Sequence, residues 1–418
     1  MISSAMLSQG LLSAGNFFVG LLLIRRAPHE QYGYYVLIVT AIQLLTQLQI
    51  AFIHPSMVRR VTTGDLAGRR DFIGGAYREQ RRRALIAAAV GGFALLVAWY
   101  INILNTSLTL IVAASIFAVL ATLYREYFRM VLIAYRIPLK ALQVDIFYVA
   151  ALCAGAYLAT LSRQPAMVAA LTLGLSAAVG GWLLSRMVWH HEGWEVDGAP
   201  HVFTEMAPFG TWAVIGAAIH WSFAQGFIYI VAGTLGVTAV ATISATRLLL
   251  MPVNLMASGL GSMTFPTVSR WLQHHPVNDV FKRLSLLAAG IAALGGLYVI
   301  VMWISRDWIF SHVTKGQFEH RDTLLLLWSA VFLLMAVRDQ MLYLPAACGR
   351  YRIMAWLTLA TAVVSLITCY VCIQNFGVVG ALVGVLVGET FNILGFVFLS
   401  LREIAAARPN TSATEALQ

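Results

Sequence analysis

Residues 121–140 read ATLYREYFRMVLIAYRIPLK. An Arg125–Glu126 pair interrupts an otherwise apolar run, and Arg129 and Arg136 follow it. At about 100° per residue, positions 125, 129 and 136 fall near 0°, 40° and 20° on a helical wheel, so the three guanidiniums share one face. The pattern returns 213 residues later, where Arg338–Asp339 breaks another apolar run and Arg350 follows. An arginine at the centre of a membrane helix costs roughly 2.5–3.5 kcal/mol on insertion scales, so charges placed there mark a pathway or a site.

The surrounding chain explains why a membrane is the right frame. Of 418 residues, 60% are hydrophobic and 11% charged, with a mean hydropathy of +0.78; soluble domains carry about 25% charged residues. That composition excludes a water-soluble globule. Twelve apolar runs fit the hydrocarbon thickness, which takes about 20 residues per helix. They fall at 3–24, 33–56, 84–103, 107–134, 138–161, 165–188, 207–233, 237–262, 283–305, 323–347, 353–373 and 378–401. The spacing predicts an all-α polytopic membrane protein, with no soluble domain left over. The first run is followed by Arg25 and Arg26 rather than a small-residue cleavage site, so it reads as a spanning helix and not a signal peptide.

The net charge of +10 could suggest a nucleic-acid partner, but its distribution answers otherwise. With both termini inside, and Lys140, Arg186 and Arg283 counted at the inner ends of their runs, 18 of the 28 basic residues fall on the inner side, 6 on the outer side and 4 within spans. This is the positive-inside asymmetry and gives an N-in, C-in orientation. The eight arginines of residues 59–83, read as an inner loop, face anionic lipid head groups. The cysteines at 153, 348, 369 and 372 lie in or beside apolar runs. Cys369-x-x-Cys372 has no second ligand pair, so buried small residues are expected and no metal or cofactor is implied. His190–His191 and His274–His275, read as loop residues, likewise lack convergent ligands.

Three landmarks give an internal repeat: Pro55–Arg59 with Pro266–Arg270, the Arg125/Arg338 pairs, and Arg136 with Arg350, at offsets of 211–214 residues. Periods of this length mean duplicated halves. Six helices per half make the repeats parallel, as in many transporters. The expected layout is a six-helix lobe at 1–200, a second at 201–404 around a central cavity, and a polar, disordered cytoplasmic tail at 405–418. The linker at 189–206, with Gly193, Gly198 and Pro200, joins the lobes.

Within the spans, Arg125, Arg129, Arg247 and Arg338 are the candidate binding residues for an oxyanion. Arg247 lies near the midplane; Arg125 and Arg129 lie close enough to the inner side to snorkel. Internal pairing with Glu126, Asp145, Asp339 or Glu389 is the competing reading. Those carboxylates are in turn candidates for proton or sodium coupling or for gating. Polar faces at Gln9, Ser13 and Asn16, and at Gln43 and Gln47, read either as interhelical hydrogen bonds or as cavity lining.

Two stretches carry a family resemblance: IRRAPHEQYGYYVL at 24–37 and ATISATRLLLMPVNLMASGLGSMTFPTVSR at 241–270. With the six-plus-six layout, they resemble the polysaccharide (Wzx-like) flippase branch of the multidrug/oligosaccharidyl-lipid/polysaccharide superfamily. The resemblance implies a bacterial inner-membrane flippase for undecaprenyl-pyrophosphate-linked oligosaccharide, working by alternating access beside glycan-assembly proteins. Only three of the 28 basic residues are Lys, and Arg suits bidentate phosphate recognition. Residues 64–70, GDLAGRR, half resemble the Asp-Arg-x-Gly-Arg-Arg loop of major facilitator transporters, with Leu66 where Arg belongs. A drug or cation antiporter is the near alternative and should present a net-acidic cavity. A glycan ligase or polymerase is the enzymatic alternative; residues 305–322, with Arg306, His312, His320 and Arg321, are short for its acceptor site.

Overall fold

A computed structural model describes residues 2–194, 200–313 and 320–406. Among them every regular element is helical: α1 Ile2–Arg26, α2 His29–Thr63, α3 Leu66–Tyr100, α4 Thr106–Ala134, α5 Pro138–Ala159, α6 Pro165–His191, α7 Val202–Leu235, α8 Val237–Leu249, α9 Met251–His274, α10 Val277–Ile304, α11 Arg306–Val313, α12 Arg321–Met341, α13 Tyr343–Ala347 and α14 Tyr351–Ala406. Local chemistry sets the boundaries. Asp65 and Asn105 cap α3 and α4, accepting from Gly68 N at 3.2 Å and Leu108 N at 2.8 Å. Pro138 and Pro165 open α5 and α6, where a missing N–H is harmless.

Ten of these helices are long and apolar enough to cross a membrane, or eleven if α8 and the start of α9, bent by 52°, make one span. The 56 residues of α14 would run about 84 Å at 1.5 Å per residue, against a hydrocarbon core of about 30 Å. At Gly377 its backbone leaves the helical region, with φ 55° and ψ −132°. Two arms, 351–376 and 378–406, therefore cross separately, giving the twelve crossings expected. The chain is a multi-pass membrane protein. Phe93, Leu96 and Tyr100 on α3, 61–81% exposed, are where lipid would be.

Glycines let these helices approach. A Cβ at Gly384 would stand 2.4 Å from the backbone N and Cα of Cys369, and one at Gly380 would stand 2.1 Å from the Cys372 carbonyl oxygen. A Cβ at Gly388 would meet Ser365, and one at Gly395 would meet Leu357. The two arms of α14 thus pack antiparallel along one glycine face, and Ser365 Oγ donates to the Gly384 carbonyl at 3.1 Å. Cys369 is fully buried in this seam, so Cys369-x-x-Cys372 serves as helix packing. On α6, Ala170, Gly174, Ala177 and Gly181 form a buried stripe of small residues. There, a Cβ at Gly174 would lie 3.1 Å from the Ala118 Cα of α4, and one at Gly181 would lie 3.1 Å from the Arg125 Cα.

The chain divides into two compact units: Met1–Trp221 with Val237–Ala245, and Ser222–Gly236 with Thr246–Gln418. The boundaries between these units fall within α7 and α8 and at the junction between them. In the first unit, Tyr127, Phe128, Val131 and Leu132 of α4 are fully buried against Ile53, Met57, Ile73 and Leu184. In the second, Val268, Val280, Leu284, Met341, Leu344 and Phe396 form the corresponding core.

The repeat is visible in the backbone. After α4, Arg136 N bonds Ile133 O and Ile137 N bonds Leu132 O; after α13, Gly349 N bonds Ala346 O and Arg350 N bonds Pro345 O. Arg136 and Gly349 both lie in the left-handed region, at φ 59° and 76°. The counterpart of Arg136 is therefore Gly349, not Arg350, and the offset matches the 213 residues of Arg125 and Arg338.

Other expectations need correcting. The arginine-rich segment 59–83 is no loop: α2 runs to Thr63 and α3 begins at Leu66, leaving only Gly64 and Asp65 between them. Asp65 is the α3 cap, so the partial major-facilitator motif has a local structural use. His190–His191 end α6, and α9 extends through His274. Pro55 and Pro266, the first residues of two repeat landmarks, lie inside α2 and α9. Gly198 and the tail from residue 407 lie outside the described residues; residues 405 and 406 complete α14.

We expect Gly384→Ala to lower the thermal unfolding midpoint of the purified protein, because backbone atoms cannot yield; overpacking costs about 1–3 kcal/mol. Gly290→Ala, where nothing lies within 4 Å of the new Cβ, should leave the midpoint unchanged.

Candidate functional site

The charges of the first unit converge from three helices. Arg125 and Glu126 come from α4, Asp145 from α5 and Ser8 from α1. Arg125 pairs with Glu126 through Nη1 and with Asp145 through Nη2. Arg129 donates from Nε to Asp145 Oδ2 at 3.1 Å, from Nη1 to Glu126 Oε2 at 3.4 Å, and from Nη2 to Ser8 Oγ at 2.9 Å. The Ser8 hydroxyl in turn donates to Asp145 Oδ2, closing the ring of bonds. Two guanidiniums thus meet two carboxylates. Side-chain exposure is 3% for Arg125 and 0% for Asp145, but 13% for Arg129, the outermost member. Space for Arg125 comes from Gly180, where a Cβ would sit 3.3 Å from Arg125 Cδ. The Tyr148 ring lies 3.8 Å from its Cζ, a cation–π contact.

The second unit holds a related cluster drawn from α12 and α14. Arg338 donates from Nη1 to both Glu389 oxygens, at 3.0 and 2.9 Å, and from Nη2 to Asp339 Oδ1 at 2.7 Å. Glu389 comes from the second arm of α14, whereas Asp145 comes from the helix directly after α4. Here one guanidinium faces two carboxylates. Gly388, next to Glu389, brings its arm against Ser365 and Phe223, and the Phe223 ring centre lies 5.7 Å from Arg338 Cζ.

Arg247 lies in the last turn of α8, at the break before Pro252 opens α9. Its Nη1 donates to Gln225 Oε1 at 2.6 Å, and its Cζ lies 5.4 Å from the buried Trp328 ring. Broken spans are one way in which transporters build sites near the bilayer midplane.

Arg125 and Arg129 share one network, Arg338 belongs to another, and Arg247 is held by an amide. The carboxylates named as alternative partners, Glu126, Asp145, Asp339 and Glu389, are the ones engaged. Snorkelling does not occur at Arg125, which is buried. Of the amide faces, Gln9, Asn16, Gln43 and Gln47 are exposed on their unit. Gln49, off that pattern, is buried and bonds the Leu123 carbonyl at 3.0 Å beside Gln80. Of the four residues weighed for an enzymatic outer site, three sit in local contacts: Arg306 reaches Asp322 at 3.7 Å, Arg321 reaches Asp307 at 2.6 Å, and His312 bonds the Trp308 carbonyl.

Asp145→Ala leaves two guanidiniums short of one counter-charge in low dielectric, and breaking a buried pair costs about 3–5 kcal/mol. We expect a double-mutant cycle with Arg125→Met to recover much of that loss in thermal unfolding. The Arg60–Glu205 pair, with side chains 48% and 56% exposed, should show coupling no larger than about 1 kcal/mol.

No protein-family model matches this chain, and no curated protein matches it in sequence. Solved structures do. An inward-facing multidrug resistance MATE family transporter of the MOP superfamily aligns at TM-score 0.75 and 13% identity over 94% of this chain and 95% of that one. The lipid II flippase MurJ in its inward closed conformation aligns at TM-score 0.77 and 9% identity over 97% and 91%. The outward-facing MATE transporter aligns at TM-score 0.63 and 14% identity over 96% and 94%. At these identities the likeness is one of fold. The chain has the all-helical membrane fold that these proteins share.

Proposed function

We propose that this chain is a flippase carrying undecaprenyl-pyrophosphate-linked oligosaccharide across the bacterial inner membrane. The observation that carries the reading is the pair of buried Arg–carboxylate clusters, 213 residues apart, in a fold similar to those of a lipid II flippase and a MATE transporter. Exposed amides on α1 and α2 support a wet face, since amides left toward lipid would be unsatisfied. The positive-inside bias supports cytoplasmic termini. The two lobes, 1–200 and 201–404, are the bodies whose alternating access moves the head group.

The clusters suggest how substrate and ion are coupled. A pyrophosphate offers an arginine the same bidentate geometry as a carboxylate and carries more charge. It competes for Arg129, Arg338 and Arg247, with Arg125 held behind Arg129 by Asp145. Each carboxylate displaced from a guanidinium, Glu126 or Asp145 in one unit and Asp339 or Glu389 in the other, then takes up a proton or sodium ion. The lipid tail stays in the bilayer throughout.

A specific observation also favours a drug or cation antiporter. The guanidiniums of Arg125, Arg129 and Arg338 are paired with carboxylates, and the second cluster has one more carboxylate than arginine, so a net-basic cavity argues less against organic cations. Purified protein in proteoliposomes separates the two. We expect translocation of a defined lipid-linked oligosaccharide, faster with an imposed proton or sodium gradient. At matched incorporation, Arg129→Ala and Arg247→Ala should each slow it at least tenfold, and Arg60→Ala should not. Gradient-driven movement of an organic cation without any of the glycolipid would assign the antiporter instead.

A further inference from the structure

A cavity of about 370 Å³ opens in the first unit where the end of α6 meets the first turns of α3. It takes no residue from the Arg125 network and plays no part in the transport scheme above. Its walls are Arg70, Trp189, His190, His191 and Trp194, with the backbone of Gly193 between them.

Several contacts hold it open. Gly193 turns the chain at φ 76°, and its N–H closes α6 on the Trp189 carbonyl at 2.9 Å. The Arg70 guanidinium lies alongside that turn: a Cβ on Gly193 would stand 3.6–3.8 Å from Arg70 Nε, Cζ and Nη2. Trp194 is fixed against Tyr77 and Phe128, at ring separations of 5.4 and 5.3 Å, and meets Trp189 edge-on at 6.0 Å.

Hydrogen-bonding chemistry decides what the cavity takes. The carboxylate among its described lining residues, Glu192, is already engaged: Oε1 pairs with Arg69 at 3.1 Å, and Oε2 accepts from Tyr135 at 2.7 Å. Burial, together with the Glu192 carboxylate, raises the Tyr135 pKa, so that hydroxyl stays a donor. Arg70 Nε and Trp194 Nε1 are shielded from solvent and have no hydrogen-bond partner. The exposed imidazoles of His190 and His191 add further ring N–H groups. Among the described residues, unused donors with no unused carboxylate call for an oxyanion. The volume corresponds to about a dozen waters at roughly 30 Å³ each, more than a lone phosphate fills.

Depth points the same way. The 27 residues of α6 span about 40 Å, beyond the hydrocarbon core of about 30 Å, so its last turn reaches the head-group layer.

We infer that this cavity binds a phosphate ester, with Arg70 and the Trp194 indole N–H donating to its oxygens and Trp189 covering its organic substituent. The ester belongs either to an anionic phospholipid head group or to a soluble metabolite. Full-length purified protein in neutral detergent tests both, by native mass spectrometry with phosphatidylglycerol and by titration with glycerol 1-phosphate. We expect one site for at least one probe, weakened at least tenfold by Arg70→Gln and several-fold by Trp194→Phe, which keeps the ring but removes the N–H. Arg60→Gln should change it less than twofold, and unfolding midpoints show whether each variant is folded. Binding of the lipid alone assigns a head-group site, and binding of the soluble ester alone assigns a metabolite site. If wild-type protein binds neither probe, or both variants bind as wild type does, the inference is overturned.

Discussion

A guanidinium cannot be left alone in hydrocarbon, and the placement of several helices follows from that one constraint. Arg125 sits mid-helix in α4 with 3% of its side chain exposed, so its counter-charges must come to it. Glu126 comes from its own helix, but Asp145 has to be delivered by α5, and Ser8, from α1, completes the ring of bonds. Three helices are thereby fixed in register by charge. Without an apolar driving force between helices in lipid, such polar bonds and close packing supply the specificity that water supplies elsewhere.

Close packing is the second half of the same design. A long, planar side chain such as Arg125 needs room, and α6 gives it with two adjacent glycines. Gly181 brings its backbone against Tyr124 and the Arg125 Cα, while Gly180 leaves space for the Arg125 stem. The second unit repeats the logic through α14, whose glycine face draws the second arm against the first and sets Glu389 beside Arg338. Small residues and buried ions are therefore coupled features here: the former set the distance at which the latter can meet.

Much of this was legible in the sequence, for physical reasons. Span positions followed from hydropathy because the bilayer tolerates little polar backbone. The repeat followed from paired charges in apolar runs, and the carboxylates able to neutralise each arginine could be named because so few lie in the spans. What could not be read was which carboxylate reaches which arginine, since the partner of Arg338 lies 51 residues away and comes from a helix unlike the one supplying Asp145. The α8–α9 break had a visible cause in Pro252, but its angle depends on tertiary packing. The segment 59–83 was misread because high charge was equated with a loop; arginine is a good helix former, and a single Asp cap sufficed to restart the helix. The cavity at Arg70 left no periodic trace, since it arises where one glycine turn brings two tryptophans and an arginine together.

The difference between the clusters bears on how the proposed cycle would run. In the first, two arginines balance two carboxylates, so adding a proton there would leave a net positive charge buried among α1, α4 and α5. In the second, one arginine meets two carboxylates, so adding a proton or a cation removes an imbalance instead of creating one. Desolvation penalises net charge far more than paired charge. In the proposed cycle the first cluster would therefore mainly hold its helices, and the second would be the one to change occupancy more readily. An ion gradient would then act mainly through Asp339 and Glu389, and an anionic head group would act on the first cluster through Arg129, its most exposed cation. Dividing the tasks this way lets two descendants of one duplicated motif serve different steps without either having to do both.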